Sequence, residues 1–160
     1  LDAGFYQTVL FDQTFICMVS ANHPRIRDAL TQQQFESEAH AVISSSGSAP
    51  LLIDQEIARL GLKRKISLKI PNFIGAALVV EHTDLIITIP ARLGDVLQGR
   101  GALATFAVPF ELPQYAVKQH WHERYHNDPG TRWLRRVIAE LMTPTPSASV
   151  PGGTAHPDWP

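Results

Sequence analysis

The sequence predicts an α/β domain in which strands alternate with helices and most strands are parallel. The clearest unit lies in residues 62–93, where a short basic strand, a helix of small residues, a polar turn and a wholly apolar strand follow one another. The same alternation continues over most of the 160 residues. With 44% hydrophobic residues, the chain can build the core of one ordinary domain or of two small halves that share a cleft.

The first strand-forming segment covers residues 6–19. Two β-rich runs, QTVLF and TFICMV, are separated only by Asp12 and Gln13. These two residues form either a tight turn or the middle of one long strand that crosses between lobes. An Asn-His-Pro tripeptide at residues 22–24 then ends the segment.

Two helices flank a short strand in the next part of the chain. Thr31 can cap a short helix that ends at Phe35, and residues 41–43 form a brief strand. After Pro50, apolar residues recur at helical spacing until Gly61 ends the turn. This segment is therefore predicted to be an amphipathic helix.

A strand–helix–strand unit follows. Residues 64–70 alternate apolar and polar side chains, as a half-buried strand does. Asn72 can cap the helix over residues 73–80. Residues 85–89 are apolar on both faces apart from Thr88, which predicts a central parallel strand that is covered on each side.

The remaining elements can be assigned in the same way. Pro90 begins a helix that ends near Gly99, and strands are predicted at residues 102–108 and 114–119. The last helix covers residues 128–142, with Asp128 as its cap. Its predicted buried stripe consists of Trp133, Leu134, Val137, Ile138 and Leu141.

Composition excludes several classes of function. Fourteen basic and fifteen acidic residues leave a formal charge of -1, which gives no positive field for nucleic acid. The single Cys17 excludes an internal disulfide and is expected to be a buried, inert thiol in a reducing cytoplasm. The chain starts at Leu1 without a signal-peptide pattern, so we expect the interior of a longer, soluble protein. Residues 143–160 lack periodicity and predict a disordered tail.

Three strand ends carry polar residues where ligands bind in parallel sheets. The small-residue loop at residues 44–48 offers backbone N–H groups at a helix start, which suit an anion, although a solvated, capped loop has the same composition. Asn72 either caps its helix or turns its amide to a ligand, while Phe73 offers an apolar wall. Thr88 faces the same space or bonds its own backbone.

Residues 122–126 form a complete H-E-x-x-H string, which in zinc proteases places two His ligands on one helix. The context argues against zinc catalysis, because residues 115–118 favour a strand and residues 127–130 start a new helix. No continuous helix is therefore expected to carry both imidazoles. His40 has no carboxylate partner at a telling spacing, and no catalytic residue or metal ligand is assigned.

Six motifs follow one another in an order that resembles the effector-binding domain of LysR-type transcriptional regulators. They are NHP at residues 22–24, His40 with the loop to Gly47, LGLKR at 60–64, IPNF at 70–73, TDL at 83–85 and IPARL at 89–93. The later Trp-His, Asp-Pro-Gly and Trp-Leu-Arg motifs at residues 121–135 resemble the branch that contains nodulation and aromatic-degradation regulators. The resemblance covers residues 4–142.

The resemblance implies a fold similar to type 2 periplasmic binding proteins, with two α/β lobes joined by crossing strands. Residues 13–97 would form the second lobe, whereas residues 1–12 and 98–142 would form only the returning part of the first lobe. The opening of that lobe and the DNA-binding domain would lie upstream of this chain. A partial lobe would leave an apolar face exposed, unless another copy covers it.

The resemblance also implies a ligand site and partners, with no cofactor and no membrane. Its effector-contacting positions correspond to His40, Ser44, Ser45, Gly47, Asn72, Phe73, Thr88 and Phe110. The effector would be a small molecule such as an aromatic carboxylate, held between the lobes of a cytoplasmic homodimer or tetramer, with the helix at residues 50–61 near a subunit interface. Alternatives are an exported solute-binding protein of the same fold or a zinc hydrolase that uses the H-E-x-x-H string.

Overall fold

The computed structural model describes residues 4–44, 48–99 and 101–142, with the backbone alone for residues 48–51. The strands of these described ranges are β1 Phe5–Gln13, β2 Phe15–Ser20, β3 Ala39–Ile43, β4 Lys65–Ile70, β5 Ile86–Pro90, β6 Leu103–Ala107 and β7 Tyr115–His122. The helices are α1 Gln32–Ser37, α2 Ser48–Arg59, α3 Phe73–Glu81, α4 Ala91–Gln98 and α5 Pro129–Met142, with a 3-10 turn at Glu123–Tyr125.

The described residues form two compact units. One contains the chain up to Phe11 and from Val117 onwards, and the other is Asp12–Ala116. The expected second lobe ended at residue 97, but β6 pairs with β2 and therefore lies in the larger unit. This difference arises because β6 completes one edge of the larger sheet, a pairing that local sequence does not reveal.

The larger unit contains a five-stranded sheet in the order β4-β3-β5-β2-β6. Strand β3 pairs in parallel with β4 and β5, whereas β2 pairs antiparallel with β5 and β6. Strands β3, β4, β5 and β6 consequently point the same way, because helices connect β3 to β4, β4 to β5 and β5 to β6. The expectation that most strands are parallel holds for this sheet, in which only β2, which enters from β1, runs against its neighbours.

Apolar side chains cover both faces of this sheet. On β5, Ile87 and Ile89 join one buried cluster with α3, while Ile86 joins the cluster on the opposite face. On β2, Met18 and Cys17 divide in the same way, as the two-residue period of a strand requires. The prediction that residues 85–89 form a central strand buried on both faces is confirmed.

Side-chain caps fix the starts of two helices where the sequence predicted them. Thr31 accepts a hydrogen bond from the backbone of Gln34, and the two residues form a complete capping box at α1. Asn72 Oδ1 accepts from the Gly75 N–H at 2.7 Å and caps α3. Only Thr14 separates β1 from β2, and the two strands lie in different sheets, so the crossing-strand alternative is the one observed.

The predicted buried stripe of α5 is wrong in part. Trp133, Leu134 and Leu141 are exposed by 58%, 50% and 73%, and no residue of this helix is fully buried. The reason is that the sheet described in the same unit has only two strands, β1 and β7, which offer too little surface to cover the helix. An exposed apolar face is what the resemblance implied.

Two further expectations concern membranes and the C-terminal segment. None of the helices in the described ranges is both long enough and apolar enough to span a bilayer. The predicted disordered tail at residues 143–160 lies outside the described residues.

The side chain of Phe35 tests how far the stability of the larger unit depends on the apolar cluster that also contains Cys17 and Ile86. It is fully buried and contacts the rings of His40 and Phe110. We expect Phe35→Ala to lower the free energy of unfolding by about 3–5 kcal/mol, because it leaves a cavity among large side chains. Urea denaturation checks this, with Phe5→Ala at a half-exposed position as a control that loses much less. If both variants lost the same free energy of unfolding, Phe35 would not be the core residue that its burial indicates.

Candidate functional site

A cavity lies between the sheet of the larger unit and its helices. Its walls include Phe15 on β2, Ile43 on β3, Phe73 on α3, and Thr88 and Pro90 on β5. About 20 Å³ of its interior is open to a water-sized molecule, and its empty volume is about 350 Å³ when the open solvent at its mouth is counted. The cavity is mainly apolar with a few polar groups, which is the usual character of a small-molecule site.

Local structure explains how two of the predicted ligand contacts reach this cavity. Phe73 is the first residue of α3, so the Asn72 cap that begins the helix also fixes the position of the aromatic ring. Thr88 is buried on β5, and its hydroxyl lies 3.6 Å from the Cys17 sulfur. Burial raises the pKa of Cys17 to about 12, so this group remains a neutral thiol, as the sequence predicted for a buried cysteine.

The cavity wall also contains an ion pair that sequence reasoning missed. Arg64, in the turn before β4, donates to Oδ1 of Asp54 on α2, and both residues line the cavity. A lone Arg at the start of an edge strand is ordinarily solvent-exposed, so its spacing gave no signal. The available hint was its place ten residues after Asp54, across a helix end and a turn.

His40 and Phe110 belong to the core beneath the helices and are absent from the described lining of the cavity. The His40 ring is fully buried, and its Nε2 donates to the Phe35 carbonyl at 2.6 Å. Burial lowers the pKa of His40 to about 4, which keeps the imidazole neutral near pH 7. These contacts give both residues structural roles, and their contact with an effector stays a prediction.

The predicted ligand contacts in the loop after β3 and at the cap of α3 are not part of the described cavity wall. Ser44 is exposed, and its N–H donates to the Ile70 carbonyl at 2.9 Å. Asn72 is exposed at the cap of α3 and is also absent from the described cavity wall. Ser45 and Gly47 lie outside the described residues. Ligand contact by these four residues stays a prediction.

The H-E-x-x-H string does not form a helix. His122 ends β7, the three following residues form a 3-10 turn, and His126 comes after it. His122 Nδ1 accepts from the Arg124 N–H, whereas His126 Nδ1 accepts from Trp121 Nε1, both at 3.1 Å. The described residues contain no cluster of three potential metal ligands. The expectation that no continuous helix carries both imidazoles is confirmed.

The same segment builds a packed cluster in the smaller unit. The ring centroids of Tyr6 and His126 are 4.3 Å apart, and Cζ of Arg135 lies 4.3 Å from the centroid of the Trp121 ring. Arg135 also donates to the carbonyls of Tyr125 and His126. Stacking and these hydrogen bonds tie the turn to α5. The Trp-His and Trp-Leu-Arg motifs therefore have a structural function here.

Comparison with known proteins gives the family. The chain matches the LysR substrate binding domain over residues 1–143. It belongs to this family. It is 32% identical over 143 residues to the HTH-type transcriptional activator NahR of Pseudomonas putida, covering 89% of this chain and 48% of that protein. It is 26% identical over 132 residues to Nodulation protein D 3 of Rhizobium leguminosarum bv. phaseoli, covering 82% and 44%.

Solved structures agree with this LysR-family assignment. The regulatory domain of MexT, a transcriptional activator in Pseudomonas aeruginosa, is similar with a TM-score of 0.74 and 27% identity, covering 86% of this chain and 68% of that one. The expected fold class, that of type 2 periplasmic binding proteins, is confirmed, as is the branch of nodulation and aromatic-degradation regulators. This LysR-family chain spans about half the length of the curated relatives it matches.

The buried His40 predicts a pH-dependent stability. Between about pH 6.5 and about pH 4 the unfolded chain binds a proton that the folded chain rejects, so the free energy of unfolding falls by up to about 3 kcal/mol on acidification. We expect His40→Gln to remove this loss in urea titrations across that range. Arg25 holds the pKa of Glu38 below its usual value, so the stabilisation from Glu38 is lost only below about pH 4.5, at the acid end of this range, and equally in both proteins.

His82→Gln is the matched control, because the His82 side chain is 77% exposed. It should retain the wild-type dependence on pH. A His40→Gln protein with the same dependence as wild type would show that His40 is not the group responsible.

The geometry of the H-E-x-x-H string predicts weak metal binding. The two imidazoles come from a strand end and from the residue after a 3-10 turn, and both Nδ1 atoms already accept hydrogen bonds. We expect purified protein to contain substoichiometric zinc by plasma mass spectrometry, with no change in His122→Ala or His126→Ala. One zinc per chain that either substitution removes would refute this expectation.

Proposed function

We propose that this chain is the effector-sensing part of a DNA-binding transcription regulator and performs no catalysis. The names of its relatives support this assignment, since NahR is a transcriptional activator with an HTH-type DNA-binding region. The formal charge of -1 also supports it, because DNA binding then falls to a part of the protein outside this sequence. The protein would act in the cytoplasm, where its operator DNA is.

The observation that carries the proposal is the cavity of the larger unit. Two residues that the sequence predicted as ligand contacts, Phe73 and Thr88, line it together. Phe15 adds a second aromatic wall, so a planar ring could pack between apolar surfaces while the Thr88 hydroxyl offers one polar contact. This chemistry, an aromatic wall beside one hydroxyl group, supports a small aromatic effector.

Effector binding would act through differential affinity. A ligand changes the population of two conformations only when it binds one of them more tightly. In a homodimer or tetramer, the favoured conformation would alter the spacing of the DNA-binding regions that the other parts of the protein provide. The helix α2, whose Ile53 and Asp54 line the cavity, is the element we propose for transmitting the change to a subunit interface.

Substitutions of the cavity wall test this function in the full-length regulator. We expect Phe73→Ala to weaken binding of small aromatic acids by at least about tenfold, which is about 1.4 kcal/mol, because the ring loses its apolar contact. Thr88→Val should weaken it less while preserving volume. Isothermal titration and a reporter gene under the native promoter measure both effects.

Leu78→Ala is the matched control for Phe73→Ala. Leu78 lies on the same helix, is exposed, and is absent from the described cavity wall, so binding should equal that of wild type. Unchanged titrations for Phe73→Ala and Thr88→Val, together with a normal reporter response, would place the effector elsewhere.

A further inference from the structure

The first turn of α4 is tied to the short junction between β1 and β2. The helix begins at Ala91, directly after Pro90, whose side chain makes no capping hydrogen bond. The first backbone N–H groups of a helix have no partner within the helix itself. The Ala91 N–H instead donates to the carbonyl of Thr14 at 2.9 Å. The start of α4 is therefore capped by the main chain of the one residue that separates β1 from β2.

The junction is also fixed by the residue that precedes it. Gln13, the last residue of β1, is only 4% exposed, and its Nε2 donates to the same Thr14 carbonyl at 2.8 Å. A carbonyl oxygen has two lone pairs, so it can accept both hydrogen bonds. This one oxygen thus joins the end of β1 and the start of α4 beside the first residue of β2.

One turn further along α4, a glycine lets the helix approach β2 closely. A Cβ atom at position 94 would overlap Cδ1 of Ile16 and lie 3.1 Å from its Cγ1. Gly94 is buried inside the helix, where glycine is less favourable than alanine. Its φ angle is not positive, so the backbone conformation does not require glycine there. The close approach to Ile16 explains the residue instead.

The hydrogen bond between Ala91 and Thr14 lies directly beside the proposed effector cavity. Phe15 and Pro90 line the cavity and are paired with each other across β2 and β5. Thr14 precedes Phe15 in the chain, and Ala91 follows Pro90. A shift of either wall residue therefore acts on this hydrogen bond through a single peptide link.

Close packing between α4 and β2 supports transmission of such a shift. Ile16 and Leu93 pack against the apolar cluster that contains Ile89 and Leu97. Close-packed interiors have low compressibility and pass displacements on to their neighbours. Because Gly94 places no side chain between helix and strand, α4 and β2 are expected to move together.

We propose that the first turn of α4 transmits the state of the effector cavity to β1, with Gly94 as the positioning residue that keeps Ala91 at hydrogen-bonding distance from Thr14. This inference rests on the proposed sensing function and names how occupancy of the same cavity is communicated. The chain passes at Thr14 from β1, which pairs with β7, into the five-stranded sheet. A change in the backbone at Thr14 consequently reaches β1 along the chain itself. This route is separate from the one through α2, which forms another part of the cavity wall.

The test compares binding with response in the full-length regulator. Gly94→Ala places a methyl group against Ile16 and should separate the first turn of α4 from Thr14. We expect benzoate, the probe in calorimetric titrations, to bind within about threefold of its wild-type affinity, because Gly94 is absent from the described cavity wall. The induction ratio of a reporter gene under the native promoter should fall by at least about fivefold. A purely structural role would instead lower affinity, melting temperature and response together.

Hydrogen–deuterium exchange gives a second measurement that needs no ligand. The peptide that contains the Ala91 amide should exchange faster in Gly94→Ala than in wild type, because the bond to Thr14 opens more often. In wild type, bound benzoate should change the exchange of the same peptide.

A rescue variant and a matched glycine control complete the design. Ile16→Val removes Cδ1, the atom that the added methyl group would overlap, so the double variant with Gly94→Ala should regain most of the wild-type induction ratio. Gly99→Ala is the control, since a Cβ atom there comes no closer than 3.7 Å to its nearest neighbour, the Val96 carbonyl oxygen. It should match wild type in binding, response and exchange.

Ala91→Pro tests the hydrogen bond directly. It removes the N–H at the first position of a helix, where proline is well tolerated, and the extended backbone of Pro90 suits a following proline. We expect the same loss of response as in Gly94→Ala, with benzoate affinity retained. If Gly94→Ala alone fails to fold, the double variant and Ala91→Pro decide.

The outcomes separate this inference from the function on which it rests. A normal response in folded Gly94→Ala and Ala91→Pro proteins, or a loss that Ile16→Val does not restore, would overturn the inference while the cavity remains an effector site. Exchange at Ala91 that bound benzoate leaves unchanged would overturn it as well. A wild type that neither binds benzoate nor responds to it would contradict the proposed aromatic effector. Unchanged exchange in ligand-free Gly94→Ala would then still refute the role of Gly94.

Discussion

The antiparallel pairing of β2 with β5 fixes the position of three groups in the cavity wall, Phe15, Thr88 and Pro90. In this register Phe15 lies opposite Pro90, and Cys17 lies opposite Thr88. Because side chains alternate along a strand, these residues share one face, while Ile16 and Ile89 point to the other. A slip of one residue would exchange the faces, bury different side chains and remove the cavity floor. Both faces are closely packed, so such a slip is costly because it disrupts the side-chain packing on each of them.

The cavity wall also contains a buried cation, Arg64, in the turn before β4. The sheet beneath it is covered on both faces, so little water reaches the interior from below. Asp54 reaches the buried Arg64 from α2 as its counter-ion, and the nearby His40 imidazole stays neutral and adds no like charge. A charge in such a place interacts with a ligand more strongly than a surface charge would. The fold thus supplies both the apolar walls of the cavity and a buried positive charge beside them.

Sequence reasoning succeeded where the determinant is local. The caps at Thr31 and Asn72 depend on residues three positions apart, and the burial of residues 85–89 depends on their own composition. The direction of β2 depends instead on strands far away in the chain, so alternation of helix and strand could not predict it. Periodicity gave the apolar stripe of α5 correctly as a pattern, but burial also requires a partner surface, which a two-stranded sheet does not provide.

The residues of the candidate site also differ in whether local sequence determines their position. Phe73 and Thr88 were predictable because a capped helix start and a strand position place them at the same edge of the sheet. Arg64 was not, because its burial depends on a pair with Asp54 on α2, and spacing does not encode that contact. The cap links the two cases: Asn72 need not touch a ligand to matter, since it sets where α3 begins and hence where the Phe73 ring stands. Loss of effector binding in an Asn72 variant would consequently report on ring position as much as on direct contact.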